Sequence, residues 1–248
     1  MRAVSLPAEG STTRNLAPSV DSSLSTRMLP FVLSVIAGTT DVIGFLGLDG
    51  FFTAHITGNL VILAAHVVTG GTASLAAILS VPIFMVALGL TRLLAGRLEA
   101  IGLASLRPLL LLQFLLLASF LGVCIAAGAQ VDPHAAIAVV GAMLGVSAMA
   151  VQNALVRVSL KDAPSTAVMT TNITLLTIDV GDLLLARDVH SVAKAQTRAK
   201  HTWPAVVGFV VGCALGAWCE AIAGLRSLAL PTGLALLAFV LGLVTKAR

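Results

Sequence analysis

The sequence predicts an all-α membrane protein with six full transmembrane helices and two polar half-helix or broken-helix segments, arranged as two inverted structural repeats. Of its 248 residues, 58% are hydrophobic and only 10% are charged, whereas a soluble domain carries about 25% charged residues. Eight apolar segments follow one another along the chain, and a polar motif occurs in two of them. Because lipid offers the backbone no hydrogen-bond partner, the apolar segments are expected to be helices.

The repeated motif consists of residues 53–63, TAHITGNLVIL, and residues 166–176, TAVMTTNITLL. Five of the eleven positions are identical without a gap, and three more pairs exchange one apolar residue for another. The two copies lie 113 residues apart in similar apolar surroundings. This self-similarity indicates one structural element used twice.

The chain is divided into a tail and one membrane domain. Residues 1–27 are rich in Ser, Thr and Pro and hold no long apolar run, so they are expected to form a disordered cytoplasmic tail. They also lack the apolar core and cleavage site of a secretory signal. A single transmembrane domain is predicted at 28–248, with repeat one at 28–128 and repeat two at 135–245.

Length and polarity separate the full spans from the two motif segments. A full span needs about 20 helical residues, and six segments approach that length. The motif segments, 52–68 and 166–186, carry too many polar side chains for a lipid-facing helix. They are therefore interpreted as half-helices that enter and leave on one side. The predicted spans are 29–48, 75–96, 108–128, 135–156, 204–224 and 227–244.

The distribution of basic residues supports the same topology. If all eight segments crossed the membrane, nine of the fifteen Lys and Arg residues would lie in the cytoplasm. If only six segments cross, fourteen of them lie in the cytoplasm and only Arg226 lies outside. The positive-inside rule favours the second arrangement, with both termini cytoplasmic. Each repeat then crosses three times, so the second repeat is inverted, as in many transporters.

The first motif is expected to bring polar groups to the middle of the membrane. Residues 51–58 are predicted to be non-helical, and Asn59 to cap a half-helix that reaches Val68, about 15 Å or half of the hydrocarbon core. Thr57 would lie beside Asn59. The equivalent residues of the second motif, Thr170 and Asn172, would approach from the other face of the membrane. Alternatively, these side chains only join neighbouring spans by hydrogen bonds.

Ionisable residues in apolar segments are further candidates. Asp41 lies in the first span, where a carboxyl group is costly and is by default functional; alternatively, a Thr or a backbone donor satisfies it. His55 is able to exchange protons near neutral pH, or it has a structural role. Asp179 and Asp182 share a helix face and are expected to function there or to pair with Arg187.

Two amides and a glycine stripe complete the features of interest. Gln152 and Asn153 are expected to line a cavity together with Asp41, which takes the corresponding place in repeat one when a one-residue gap is allowed. Gly208, Gly212 and Gly216 form one helix face that permits close packing. The three cysteines lie in apolar runs without the spacing of a disulfide framework or a metal site.

Three short motifs resemble the YoaK family of bacterial membrane proteins. They are AGTTDVIGF at 37–45, HITGNL at 55–60 and QNA at 152–154, and the apolar pattern extends the resemblance over about residues 29–245. No substrate or activity is established for that family. The resemblance therefore implies a multispan protein of the bacterial cytoplasmic (inner) membrane and no more. Thr171 stands where the first motif has Gly58.

These features lead to the hypothesis of a secondary transporter for an unidentified small solute, coupled to protons through Asp41 and His55. The alternatives are a small-solute channel, a structural membrane protein without transport, and an enzyme using the same pair, which no catalytic motif supports. Expected partners are the lipid bilayer and the solute; a homo-oligomer is left open, and no cofactor, metal or nucleic acid is expected. The predicted substrate-binding residues are Thr57, Asn59, Thr170, Asn172, Asp41, His55, Gln152 and Asn153.

Overall fold

The computed structural model describes residues 24–70, 74–128, 132–160, 163–185 and 189–244. Within these ranges the regular structure is helical. A 3-10 turn, Gly224–Leu228, joins the last two helices. The α-helices are α1 Leu24–Gly47, α2 Ile56–Thr69, α3 Leu75–Ala100, α4 Leu106–Ala127, α5 Ala136–Ser159, α6 Met169–Leu185, α7 Val189–Ala223 and α8 Ala229–Val244.

Most of the helices are long and apolar enough to cross a bilayer. Among the described residues, five helical stretches meet this condition, and the last of them contains both α7 and α8. Since a span needs about 20 apolar helical residues, the chain is a multi-pass membrane protein. The stretches are Met28–Gly47, Leu75–Ala100, Leu106–Ala127, Ala136–Ser159 and Ser191–Val244.

The two motif helices are shorter than α1, α3, α4, α5 and α7, but α6, with 17 residues, is one residue longer than α8. The 14 residues of α2 and the 17 residues of α6 correspond to about 21 and 26 Å of helix. Both lengths fall below the ~30 Å hydrocarbon thickness. Length therefore separates α2 from the long spans, although α2 is longer than the ten residues expected of it, but length does not separate α6 from α8.

The helices of the two halves are interleaved. α1 packs on α7, and its counterpart α5 packs on α3. In the same way α8 packs on α1, α4 packs on α5, and α4 and α8 contact each other. α2 lies on α3 as α6 lies on α7. If α1, α2, α3 and α4 are exchanged with α5, α6, α7 and α8 respectively, each of these packed helix pairs becomes another pair that is also packed in the structure.

The glycine stripe of α7 lies directly against α1. A Cβ atom built on Gly208 would approach the carbonyl oxygen of Phe31 to 2.7 Å, and one built on Gly216 would approach that of Thr39 to 2.9 Å. Gly212 faces Val35 between them. The contacts advance together along both helices, so α1 and α7 run parallel. The predicted close packing at these glycines is confirmed.

Two apolar clusters locate the helix ends. The first cluster joins the early part of α1 to the ends of α3 and α5, represented by Leu33, Ala95 and Leu155. The second cluster joins the end of α1 to the starts of α3 and α5, represented by Ile43, Ala76 and Val139. The end of α1 and the start of α3 therefore lie at the same end of the molecule, and α2 belongs to the segment that connects them.

The start of α7 differs most from its predicted position. The span was expected to begin at residue 204, but the helix begins at Val189. Residues 189–203 are polar, so hydropathy does not detect them, yet they include Ala, Lys, Arg and Gln, which are strong helix formers. The added turns carry Arg198, which pairs with Asp179 of α6.

The amino-terminal boundary also differs. α1 begins at Leu24, four residues inside the segment predicted as a tail. The remainder of that predicted tail, residues 1–23, lies outside the described residues.

Candidate functional site

Asp41 of α1 is the centre of the first motif. Its side chain is 3% exposed. Its Oδ1 atom accepts hydrogen bonds from the backbone N–H of Thr53 at 2.8 Å, the Thr53 hydroxyl at 3.0 Å and the N–H of Ala54 at 2.6 Å. Its Oδ2 atom is hydrogen-bonded to Nδ1 of His55. One buried carboxylate thus holds three consecutive residues of the motif, and its contacts are those of the alternative interpretation, in which a Thr or a backbone donor satisfies Asp41.

The loop between α1 and α2 reaches Asp41 by folding back. Asp49 and Gly50 have positive φ angles of 54° and 77°, a backbone conformation that Gly and Asp adopt more readily than most residues. Asp41 lies six residues before the end of α1 at Gly47, or about 9 Å along the helix. The loop therefore reaches about that far back along α1 before α2 starts.

Asn59 closes this loop. Its Nδ2 donates to the carbonyl oxygen of Phe52 at 2.8 Å, and its Oδ1 accepts the Phe52 N–H at 2.9 Å. The predicted helix cap at Asn59 is wrong, because α2 begins at Ile56 and its N-cap residue is His55, which makes no side-chain cap bond. The oxygen and the nitrogen of the Asn59 side-chain amide both bond to the backbone of Phe52. The side chain therefore fixes the loop instead of capping the helix.

His55 is the more accessible member of the Asp41–His55 pair. Its side chain is 37% exposed. Its ring lies 5.9 Å from that of Phe52 and 5.5 Å, edge-on, from that of Phe209 on α7. An imidazole gains and loses a proton near neutral pH. The pair therefore joins a buried carboxylate to a partly exposed group that is able to exchange protons.

The second motif repeats part of this geometry. Nδ2 of Asn172, which is 2% exposed, donates to the carbonyl oxygen of Ser165 at 2.5 Å. The hydroxyl of Thr166, the counterpart of Thr53, accepts a bond of 2.8 Å from Nε2 of Gln152 on α5. A polar side chain of the preceding long helix thus holds the motif threonine in both halves.

The amides of α5, which were expected to line a cavity with Asp41, make their hydrogen bonds to other groups. Gln152 is fully buried; it donates to the carbonyl oxygen of Leu33 at 2.8 Å and accepts a bond of 2.6 Å from Gln113. Asn153 donates to the carbonyl oxygen of Met149 in its own helix at 2.8 Å. Gln152 therefore holds Thr166 of the second loop as Asp41 holds Thr53 of the first.

The motif threonines and asparagines lie on different faces. Thr57 and Thr170 are exposed, whereas Asn59 and Asn172 are buried. The structure brings Asp41, His55 and Asn59 together around the first loop, and Gln152 and Asn172 around the second. The cavity lined by Asn172 is not lined by Asn59, so the two motifs do not meet in that cavity.

An open cavity lies between α6 and α7, bordered by the end of α5. Its volume is about 390 Å³. It extends along α6 from Asn172 to Asp179, and α7 contributes Arg198 and His201. Arg157 from the last turn of α5 lines it as well. The cavity combines cationic, anionic and hydroxyl groups beside a motif asparagine.

Asp179 and Arg198 form the ion pair of this cavity. Oδ1 of Asp179, a residue 1% exposed, accepts bonds of 2.8 Å and 2.5 Å from Nε and Nη2 of Arg198. Asp182 lies 3.5 Å from the same guanidinium group. The predicted partner, Arg187, lies outside the described residues. Arg198 was not predicted, because the helix that carries it begins fifteen residues before the expected span.

The comparisons place the chain in a family. A family model described as "Protein of unknown function (DUF1275)" matches residues 29–241. The chain belongs to the DUF1275 family. YoaK is a member of the same family, so the resemblance seen in the short motifs agrees at that level. The search of the curated proteins and the search of the solved structures each found no match.

The matched region of the DUF1275 chain contains both motif loops, the Asp41–His55 pair and the α6–α7 cavity. Its two polar sites have different chemistry. The first holds a carboxylate against an imidazole and is suited to binding and releasing a proton. The second offers cationic donors and a buried carboxylate around a space large enough for a small solute.

Proposed function

We propose that this DUF1275 protein is a secondary transporter of a small solute in the bacterial cytoplasmic membrane, and that the Asp41–His55 pair couples transport to protons. The observation that carries the proposal is the pair itself. A carboxylate 3% exposed is bonded to an imidazole 37% exposed, beside the start of a helix too short to span. Ionisable groups in membrane segments are costly and mark ion or proton pathways.

We infer six crossings with both termini in the cytoplasm. The second apolar cluster, which joins the end of α1 to the starts of α3 and α5, supports a motif helix α2 that leaves and returns on one side. Since α7 runs parallel to α1, its start lies at the opposite end of the molecule, near the end of α5. This supports an α6 that leaves and returns on the other side.

The two halves are proposed to be inverted repeats. The matching hydrogen bonds of Asn59 and Asn172 and the interchangeable helix pairs support a duplication. Three crossings in each half reverse the second relative to the first. Broken or short helices entering from opposite faces of such repeats are a common plan for solute and ion sites in transporters.

Reconstitution tests the coupling. Purified protein is placed in liposomes that contain a pH-sensitive dye, and candidate solutes are added outside. We expect solute-dependent, saturable proton influx with the wild-type chain. His55→Gln keeps a side-chain donor for Asp41 but cannot exchange a proton, so it is expected to fold and to lose solute-driven proton influx. His134→Gln is the matched control, because the His134 side chain is 49% exposed and its Nε2 atom lies 3.9 Å from the Asp49 carboxylate.

The outcomes separate the candidate functions. Solute flux that is linear in concentration and independent of a proton gradient would indicate a channel. Solute-driven proton influx that is unchanged in His55→Gln would assign the pair a purely structural role. Absence of solute-dependent flux with wild-type protein, across solutes that bind it, would reject transport.

A further inference from the structure

We propose that the cavity between α6 and α7 binds a small carboxylic acid that carries an ammonium or hydroxyl group and an apolar tail. The inference rests on the proposed function only where it identifies this ligand as the transported solute. Binding itself depends only on the cavity, with its cationic rim, its buried carboxylate and its apolar wall.

The rim of the cavity supplies donors for a carboxylate. Arg157 and His201 are exposed residues that line the cavity. Within the described ranges neither side chain makes a hydrogen bond or an ion pair, in contrast to Arg198, which is held by Asp179. A guanidinium group binds a carboxylate through two parallel hydrogen bonds. Arg157 is therefore the group most available to hold an anionic end.

The wall of the cavity contains a buried acceptor without a donor. Asp179 lines the cavity, and its Oδ2 atom is buried with no hydrogen-bond partner in the described part of the chain. The other oxygen, Oδ1, receives both bonds from Arg198. A buried polar atom without a partner is costly. Turning the Asp179 carboxyl group would present this oxygen to an ammonium or hydroxyl group of a bound molecule.

An apolar wall completes the site. It is formed by Ala163, Pro164, Val168 and Leu175. The volume of about 390 Å³ lies within the ~300–1,000 Å³ range of ligand pockets. An inorganic anion would leave this wall and the free oxygen of Asp179 without a partner, so the cavity is better matched to an organic acid with a donor and a tail.

Direct binding tests the inference without a membrane gradient. Purified protein in detergent is titrated calorimetrically with L-leucine, with its α-hydroxy analogue and with its unsubstituted carboxylate analogue; L-alanine, L-lactate and propionate form a smaller matched set. We expect millimolar or tighter binding within these sets. In each set the amino and hydroxy acids should bind about tenfold more tightly than the unsubstituted acid, which offers Asp179 no donor.

Substitutions separate the two ends of the ligand. Arg157→Gln is expected to weaken binding about tenfold or more, because the charged bidentate contact is lost. Arg97→Gln is the matched control, because Arg97 is an exposed arginine in the last turn of α3 that does not line the cavity. Asp179→Asn is expected to change the order of affinities among the acids of each matched set. Should this variant fail to fold, the affinities of the same acids for the wild-type protein test the role of Asp179.

Each result decides a separate statement. No binding of any of these acids to wild-type protein, or equal binding by Arg157→Gln, overturns the site. Equal affinity for substituted and unsubstituted acids overturns the role of Asp179. Binding without uptake in liposomes would reject transport and keep the site, whereas uptake of these acids that is unaffected by Arg157→Gln would reject the site and keep transport.

Discussion

Asn59 and Asn172 make the same hydrogen bond in the two halves of the chain: each Nδ2 atom donates to the carbonyl oxygen of the residue seven positions earlier. The distances are 2.8 Å to Phe52 and 2.5 Å to Ser165. Asn59 also accepts the N–H of Phe52 at 2.9 Å. The motif asparagine thus shapes the chain that leads into each short helix, and it does so more completely in the first half.

Loss of the asparagine should destabilise the first half more than the second. Asn59→Ala leaves both the N–H and the carbonyl oxygen of Phe52 without these partners, which is expected to cost about 2–4 kcal/mol. Asn172→Ala removes one such bond and should cost about half as much. Thermal unfolding of both variants in the same detergent measures the difference. An equal or larger loss for Asn172→Ala would contradict this account of the loops.

The contact between α1 and α7 should not tolerate a methyl group. A Cβ on Gly212 would press on the backbone of Val35, so Gly212→Ala is expected to cost about 1–3 kcal/mol. In α3, a Cβ built on Gly89 has no atom within 4 Å apart from its chain neighbours and the backbone of its own helix. Gly89→Ala should therefore raise stability by about 0.5–1 kcal/mol, since Ala is the better helix former. Unfolding temperatures that fall equally in both variants would argue against glycine-dependent packing.

The buried carboxylate of Asp179 should depend on Arg198. Arg198→Gln removes the charge that neutralises it and is expected to lower the unfolding temperature. Asp182→Asn should lower it less, because the side chain of Asp182 is 44% exposed and lies farther from the guanidinium group. Adding Asp179→Asn to Arg198→Gln should recover part of the loss, since no unpaired charge is then buried. A double variant less stable than Arg198→Gln would contradict the pairing.

Cysteine labelling should place both ends of each motif segment on one side of the membrane. In a background without native cysteines, Asp49→Cys and Thr69→Cys are expected to react with an impermeant maleimide added to intact cells. Pro164→Cys and Lys194→Cys should react only in inverted vesicles. If Asp49→Cys and Thr69→Cys reacted from opposite sides, α2 would cross the membrane and the six-span topology would be wrong.

The spans were predictable where lipid alone decides the structure. The predicted segments 75–96, 108–128 and 135–156 match α3, α4 and α5 to within four residues at each end. An apolar run of that length must satisfy its own backbone, so hydropathy is sufficient. It failed for the first part of α7, because helix formation there depends on intrinsic propensity and on the pairing of Arg198 with Asp179.

The site was predictable only in part. The cost of a carboxyl group in an apolar segment singled out Asp41, and repetition singled out Asn59. The contact of Asp41 with Thr53 and Ala54 depends on a backward fold of the loop that spacing does not reveal. The choice of Gln152 over Asn153 depends on helix phase, because neighbouring residues point about 100° apart and only one of them faces the second loop.

The interleaving of the helices has a consequence for how such a chain arises. α1 is covered by α7, and α5 is covered by α3, so neither half encloses its own first helix. A polypeptide ending after α4 would be incomplete and would need a second molecule to supply the missing surface. Under the proposed topology that molecule would be inserted upside down, so a half-length ancestor would have been a dual-topology dimer, and gene fusion would have fixed its two orientations in one chain.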